Sequence, residues 1–292
     1  MYTTITKFKI PSILEDILKD LQKIGATPIL VGGCVRDYFL NILVKDYDVE
    51  IFGIDCIQTI EKSLQKFGSV KLVGKSFGVL TLRVNKYDFD FALPRTETKI
   101  GLSHQDFEVI TNASLSFKEA AIRRDFTINA IGYDFFKEEF IDPFDGIEDL
   151  RTKTIKHIND KTFIEDSLRV YRAVAFASRF NFKIEEKTKE LCKQIVLKNE
   201  LKYLPKERVY EEFKKLFLKS SKPSIGFELM REIGILKYFS ELQALINCIQ
   251  EPEYHPEGDV WVHTLMALDE MARILKEENI ENDYKELYLF YS

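Results

Sequence analysis

Residues 28–37, Pro-Ile-Leu-Val-Gly-Gly-Cys-Val-Arg-Asp, constrain the fold more than any other stretch. A short apolar run that can cross a sheet meets Gly32 and Gly33, and the residues from Val35 to Leu40 can coil into a helix. Strand, glycine turn and helix in that order place bare backbone where a ligand can come close. The helix start favours an anion, and Arg36 adds a guanidinium fork suited to phosphate.

Around this unit the first half reads as α/β. Ile13, Ile17, Leu18, Leu21 and Ile24 have helical spacing, and Gly25 ends it. β-type runs follow at Tyr47 to Phe52, Val70 to Val73, Val79 to Val84 and Asp88 to Phe91, with a helical segment near Ile57 to Phe67. After about Ile147 the β-type runs stop. Helical patterns take over at roughly 166–180, 186–198, 206–219, 222–232 and 262–276. The expectation is an α/β head followed by an all-α neck and body, with a turn-rich junction at Asp142-Pro143-Phe144-Asp145-Gly146.

At 292 residues, 45% hydrophobic, the chain can bury more than one core. Its four cysteines are widely spaced with no C-x-x-C, which excludes a disulfide framework and a cysteine zinc site and fits the cytoplasm. The first twenty residues interrupt their apolar run with Glu15, Asp16 and Lys19, excluding a signal peptide or membrane span there. A net charge of -5 conceals a basic middle. Arg151 to Lys189 holds 10 basic against 5 acidic residues and Lys198 to Lys222 holds 8 against 4, whereas Gln250 to Glu286 holds 3 against 11. A bound phosphate backbone therefore belongs on the middle of the chain.

Asp46-Tyr47-Asp48 opens a strand, so both carboxylates leave the same face, about 6 to 7 Å apart. Hard oxygen donors in such a pair suit Mg²⁺, and two such ions about 3.5 to 4 Å apart can clamp an in-line phosphoryl displacement. Asp90, in Tyr87-Asp88-Phe89-Asp90-Phe91, is the expected third carboxylate, with Asp88 as the alternative on the same face.

Gly32-Gly33-Cys34-Val35-Arg36-Asp37 followed by Lys45-Asp46-Tyr47-Asp48-Val49-Glu50 resembles the signature of the polymerase beta nucleotidyltransferase superfamily. The class II CCA-adding branch and the bacterial poly(A) polymerases share that signature. Arg123-Arg124-Asp125-Phe126-Thr127-Ile128-Asn129-Ala130 is similar to the R-R-D-F-T-I-N-A motif of that family, which implies that Arg124 contacts the incoming nucleotide. Glu165-Asp166-Ser167-Leu168-Arg169-Val170-Tyr171-Arg172 resembles its E-D-x-x-R-x-x-R motif. On a helix Asp166, Arg169 and Arg172 would lie along one face.

The resemblance implies that Asp46 and Asp48 hold magnesium, that Gly33, Arg36, Arg124 and Arg172 cradle a triphosphate, and that Asp166 with Arg169 reads the base. Arginine offers only donors and an ionised aspartate only acceptors, so the pair matches cytosine and adenine and leaves groups unpaired against uracil and guanine. One departure is Ala175, where the family commonly carries a further Arg; Arg179 comes one turn later.

Gly74 to Leu80 lacks the R-F-x-L-x-H stretch typical of bacterial poly(A) polymerases, which favours CCA addition. Residues 94–116 resemble the flexible loop with which CCA- and A-adding members switch specificity, and CC-only members have a curtailed one. Residues 255–266 resemble the start of an HD phosphohydrolase domain whose H-D pair would follow about where the chain ends, so the chain reads as truncated there, with His263 unliganded and no phosphohydrolase activity expected. The expected domains are a catalytic head at 1–140, a helical neck at 141–200, a tRNA-binding body at 201–250 and an incomplete HD-type domain at 251–292. The implied function is Mg²⁺-dependent addition of C and A from CTP and ATP to the 3′ end of tRNA, in the cytoplasm, with no stable protein partner inferred. A-only addition, poly(A) synthesis and a non-catalytic RNA- or nucleotide-binding role are the alternatives.

Overall fold

A computed structural model describes residues 8–73, 78–99, 107–277 and 282–291. The chain divides into two compact units, Met1–Thr152 and Lys153–Ser292.

In the first unit, α1 (Ser12–Lys23) buries Leu14, Ile17, Leu18 and Leu21, the stripe that helical periodicity demands. It leads into β1 (Thr27–Val31), α2 (Gly33–Phe39), β2 (Asp46–Phe52), α3 (Ile57–Leu64), β3 (Val70–Val73), β4 (Val79–Val84) and β5 (Tyr87–Ala92). After β6 (Arg95–Lys99) and β7 (Phe107–Thr111) come α4 (Phe117–Ala121), β8 (Gly132–Asp134), β9 (Glu139–Ile141) and α5 (Gly146–Arg151). Seven strands form one sheet in the order β3-β4-β5-β2-β1-β8-β9. Only β2 and β5 pair in parallel; every other neighbouring pair in that sheet is antiparallel. Val49, Ile51, Phe89 and Phe91 are buried on these two central strands, and the aspartates alternate with them.

One local expectation changes. Residues 94–116 are not an open loop: β6 and β7 pair antiparallel from Arg95↔Thr111 to Lys99↔Phe107, while 100–106 lie outside the described residues. Most of the segment that lacked the R-F-x-L-x-H stretch, residues 74–77, also lies outside them. Between Ile122 and Ala130 the chain is a series of turns with one 3₁₀ turn at Thr127–Asn129, held by the capping box of Ser116 and Glu119 that starts α4 and by backbone bonds such as Arg124 N to Ala121 O at 3.0 Å.

The second unit opens with β10 (Thr154–Ile155) and α6 (Asp160–Glu165), then α7 (Arg169–Phe180), β11 (Lys183–Ile184), α8 (Glu186–Leu197), α9 (Lys206–Lys219), α10 (Pro223–Ile233), α11 (Ser240–Ala244), α12 (Val260–Glu277) and α13 (Asn282–Tyr291). Among its described residues it is helical apart from the short parallel pair β10 and β11, too brief to carry an alternating pattern, and one isolated bridge between Ile249 and Asp259. A row of aromatic contacts runs through its core, Tyr171 to Phe213, Phe213 to Phe227 and Phe227 to Trp261, with ring centroids 6.0, 6.2 and 6.5 Å apart. Gly226 lets α10 approach α9 so closely that a Cβ there would stand 2.4 Å from Leu216 Cδ1. Among the described residues no helix is long and apolar enough to cross a membrane.

Candidate active site

Parallel pairing of β2 with β5 sets Asp46 opposite Asp88 and Asp48 opposite Asp90, so four carboxylates rise from one face of the sheet. Their environments separate them. Asp88 is taken by Arg83 at 2.5 and 2.8 Å, and that hydrogen-bonded guanidinium holds its carboxyl below the ordinary range. Asp90 accepts a hydrogen bond from the Thr81 hydroxyl at 2.6 Å. Asp48 is exposed on the face of β2, yet desolvation by the surrounding protein atoms raises its carboxyl; Asp90 and Asp46 push the same way, and Arg124 and Arg36 oppose them. Opposite Asp48, Asp90 stands where a third carboxylate would complete the pair, and Asp88 is already neutralised.

Gly32 adopts φ +73°, ψ -128° between β1 and α2. A Cβ there would stand 3.0 Å from Arg124 Nη1 and 3.4 Å from Asp48 Oδ2, so the bare backbone faces both the metal-type carboxylate and the arginine. At Gly33 the corresponding neighbour is Arg36 Nη2 at 3.6 Å, an ordinary contact, which moves the steric constraint from Gly33 to Gly32. Arg36 is only 5% exposed. Its guanidinium donates to Asp37 Oδ1 from Nε at 2.7 Å and to Asn129 Oδ1 from Nη1 at 2.6 Å. It is turned into the fold rather than presented as an open fork, and α2, with 7 residues, is a short helix.

Arg124 reaches Asn129 O at 3.4 Å and Glu50 Oε2 at 3.6 Å. Glu50 is 1% exposed and accepts from Arg123 Nη2 at 3.0 Å. Arg123 also approaches Glu97 Oε1, 3.4 Å away, and Glu97 receives Arg95 Nε at 2.9 Å. The strand of Asp46 and Asp48, the double-arginine turn and the base of the β6–β7 ribbon thus meet in one ion cluster. Glu50 and Asn129 were not among the residues singled out from the sequence. Their signals were present: Glu50 continues the Asp46, Asp48 alternation on β2, and Asn129 lies within the R-R-D-F-T-I-N-A stretch.

In the second unit, α7 begins at Arg169, so Asp166 is not on the helix with Arg169 and Arg172 as the spacing predicted. It occupies an extended position, φ -120°, ψ 96°, and its Oδ1 accepts the Leu168 amide at 3.1 Å. A short acidic side chain that can bond its own following backbone interrupts the helix there. Arg169 Nη1 donates to Thr162 O at 2.8 Å. Arg172 lies 3.8 Å from Glu212 Oε1 and 5.3 Å from the centre of the Phe176 ring. Arg208, on α9, stands 3.9 Å from Asp166 Oδ2 and was missed, since on sequence it is one charge among many on an amphipathic helix. Ala175 is buried, and Arg179 lies over the ring of Phe180.

Residues 29–156 match the poly A polymerase head domain, and residues 181–246 match a region described as "Probable RNA and SrmB- binding site of polymerase A". A Multifunctional CCA protein of Mannheimia succiniciproducens is 39% identical over 86% of this chain and 58% of its own length. A structure titled tRNA-processing enzyme complex 3 is 30% identical, with a TM-score of 0.68, covering 94% of this chain and 68% of that one. A tRNA nucleotidyltransferase complexed with a primer tRNA and an incoming ATP analog is 29% identical, with TM-score 0.70, covering 94% and 73%. The chain spans 58–59% of the length of the curated relatives it matches. Enzymes of this family generally use a divalent metal. The residues present fit one: Asp46, Asp48 and Asp90 are hard oxygen donors on one face, and a cation relieves both the desolvation that raises Asp48 and the repulsion from Asp90 and Asp46 that adds to it. With its α/β head and helical body, the chain belongs to the class II tRNA nucleotidyltransferase family.

Proposed function

We propose that this chain carries the nucleotidyl-transfer site of an enzyme that adds C and A from CTP and ATP to the 3′ end of tRNA. The observation that carries the reading is the register Asp46↔Asp88, Asp48↔Asp90, which gathers metal-type carboxylates beside Arg124 and Gly32. The relatives' names support the same direction: a Multifunctional CCA protein, and structures titled as a tRNA nucleotidyltransferase with primer tRNA and an ATP analog and as a CCA-adding enzyme with ATP.

In this reading Asp46 and Asp48, with Asp90, hold Mg²⁺. The ion supplies charge neutralisation for the triphosphate and for the oxygens of the displacement. The protein supplies position and charge. Gly32 and Gly33 let the triphosphate approach the backbone, and Arg124 meets its negative charge. Arg36 acts at one remove, bracing α2 against Asn129. Asp166 and Arg169 read the base, and Arg172 adds a cation near it. The 3′-hydroxyl oxygen of the RNA attacks the α-phosphorus and pyrophosphate leaves. A cytoplasmic location is in keeping with these proposed substrates and with four free cysteines.

The test is incorporation of labelled CTP and ATP, separately and together, into tRNA transcripts that end before C, C or A, with an Asp46→Ala/Asp48→Ala variant as control. Ordered, Mg²⁺-dependent addition that stops after CCA supports the proposal. ATP-only incorporation moves the reading to A-addition or polyadenylation, and no incorporation in either lane overturns catalysis by this chain.

A further inference from the structure

Asp166 and Arg169 depend on a very short helix. Asp166 follows the last residue of α6, and Arg169 Nη1 donates to Thr162 O on that helix at 2.8 Å. With 6 residues, α6 is too short to hold itself in water, so its attachments to the rest of the second unit decide where these two side chains stand. His157, 6% exposed, joins it to α8: Nε2 lies 2.7 Å from Oδ1 of Asp160, the first residue of α6, and Nδ1 lies 2.7 Å from the Thr188 hydroxyl in the first turn of α8. We infer that His157 is a positioning residue for nucleotide selection, clamping α6 onto α8 through Asp160 and Thr188 so that the Thr162 carbonyl holds Arg169 beside Asp166; the inference rests on the base-reading role proposed for that pair.

The α8 end of the clamp is rigid. The chain leading to His157 is laid along the approach to α8, with Lys183 N donating to Lys153 O and Glu185 N to Ile155 O, both at 2.9 Å. His157 N then donates to Thr188 Oγ1 at 3.1 Å, and that hydroxyl donates to Glu185 Oε2 at 2.8 Å. Thr188 is fully buried and therefore meets both the backbone and the ring of His157. A hydrogen bond on one ring nitrogen sets where the other points, so Thr188 aims Nε2 at Asp160.

The α6 end completes the path to the base. Asn159 starts the helix by accepting the Thr162 amide at 3.1 Å. Phe163 is fully buried, its ring centroid 5.4 Å from that of His157. Lys187 Nζ lies 2.8 Å from Asp160 Oδ2, and the hydrogen bonds from Lys187 and then His157 hold the Asp160 carboxyl below the ordinary range, so it remains an acceptor. A clamp that only stabilised the fold would affect all four nucleotides alike. The bond from Arg169 to Thr162 O makes the difference, because it passes the position of α6 to a side chain proposed to touch the base.

The experiment measures kcat/KM of the full 292-residue chain for CTP, ATP, UTP and GTP on tRNA transcripts ending before C, C or A, with backbone amide exchange read over residues 160–168. In His157→Ala the preference for CTP and ATP over UTP and GTP should fall by about tenfold or more, since a misplacement of about 1 Å can cost a hundredfold, and the Thr162 and Phe163 amides should lose protection. Asp160→Ala should do the same; its side chain is exposed, so this variant keeps the test open if His157→Ala does not fold. Lys187→Ala, which leaves the imidazole bridge in place, should retain the preference. Added imidazole should restore part of it in His157→Ala and none in Asp166→Ala/Arg169→Ala. Equal losses for all four nucleotides, or an unchanged preference in His157→Ala and Asp160→Ala while Asp166→Ala/Arg169→Ala loses it, overturn the clamp and leave the base reading standing. An unchanged preference in Asp166→Ala/Arg169→Ala overturns the base reading, and this inference with it.

Discussion

Glu50 and Arg124 approach to 3.6 Å, oxygen to nitrogen, within the strand whose first residues include Asp46 and Asp48. The same carboxylate holds Arg123 at 3.0 Å. Glu50→Ala would leave two guanidinium groups against a buried void, with Glu97 the other carboxylate beside Arg123. Breaking a buried pair by deleting one partner costs about 3 to 5 kcal/mol. A fall of that size in unfolding free energy, measured in urea, is expected, together with a higher KM for the nucleotide.

Gly32 tests the turn. Gly32→Ala puts a methyl group 3.0 Å from Arg124 at a backbone conformation that side chains rarely adopt, a strain of about 1 to 3 kcal/mol. Gly33→Ala meets only an ordinary contact on a helical residue. Thermal melting should therefore drop clearly for Gly32→Ala and change little for Gly33→Ala, and kcat/KM for Gly32→Ala should fall by more than about tenfold.

Asp48 tests the metal reading by sign. Its folded carboxyl titrates above the unfolded one, through desolvation by nearby protein atoms and the charges of Asp90 and Asp46, so at neutral pH the charged form weakens the metal-free fold, and that penalty disappears as pH falls through the raised value. Asp48→Asn should accordingly melt at a higher temperature than the parent in EDTA while losing nucleotidyl transfer. Added Mg²⁺ should raise the melting temperature of the parent and leave that of Asp48→Asn nearly unchanged.

Asp166 combines two duties that can be separated. Its Oδ1 accepts the Leu168 amide just before α7, and removing such a local hydrogen bond costs about 1 kcal/mol. Asp166→Asn keeps an acceptor there but presents a donor to the base, so it should retain stability and lose preference for CTP and ATP over UTP and GTP. Asp166→Ala/Arg169→Ala should lose both. Unchanged discrimination in the double variant, read from single-turnover incorporation with each nucleotide, would remove the base-reading role.

What the sequence disclosed depended on how each element is stabilised. The strand from Asp46 to Phe52 was legible because buried Tyr47, Val49 and Ile51 alternate with the acidic residues. The ribbon Arg95–Lys99 with Phe107–Thr111 was not, because its stem is tied by charges, Arg95, Glu97 and Arg123, and its first strand, Arg-Thr-Glu-Thr-Lys, presents no apolar residue. The helical pattern around 166–180 was right in kind, but apolar spacing cannot reveal that Asp166 bonds the backbone and breaks the helix before Arg169. Of the site, the carboxylates and Arg124 could be picked out by motif. Glu50 and Asn129 act through neighbours distant in sequence, and only the folded chain brings those neighbours together.

The parallel pairing of β2 with β5 has a kinetic consequence. The chain completes α3, β3 and β4 between these strands, so Asp48 and Asp90 meet only when a long crossover closes, whereas the β4–β5 hairpin forms from neighbours in sequence. Loop closure of that length is slow compared with a hairpin. The repulsion among the aspartates therefore arises only once that crossover has closed, and the β4–β5 hairpin can form without it.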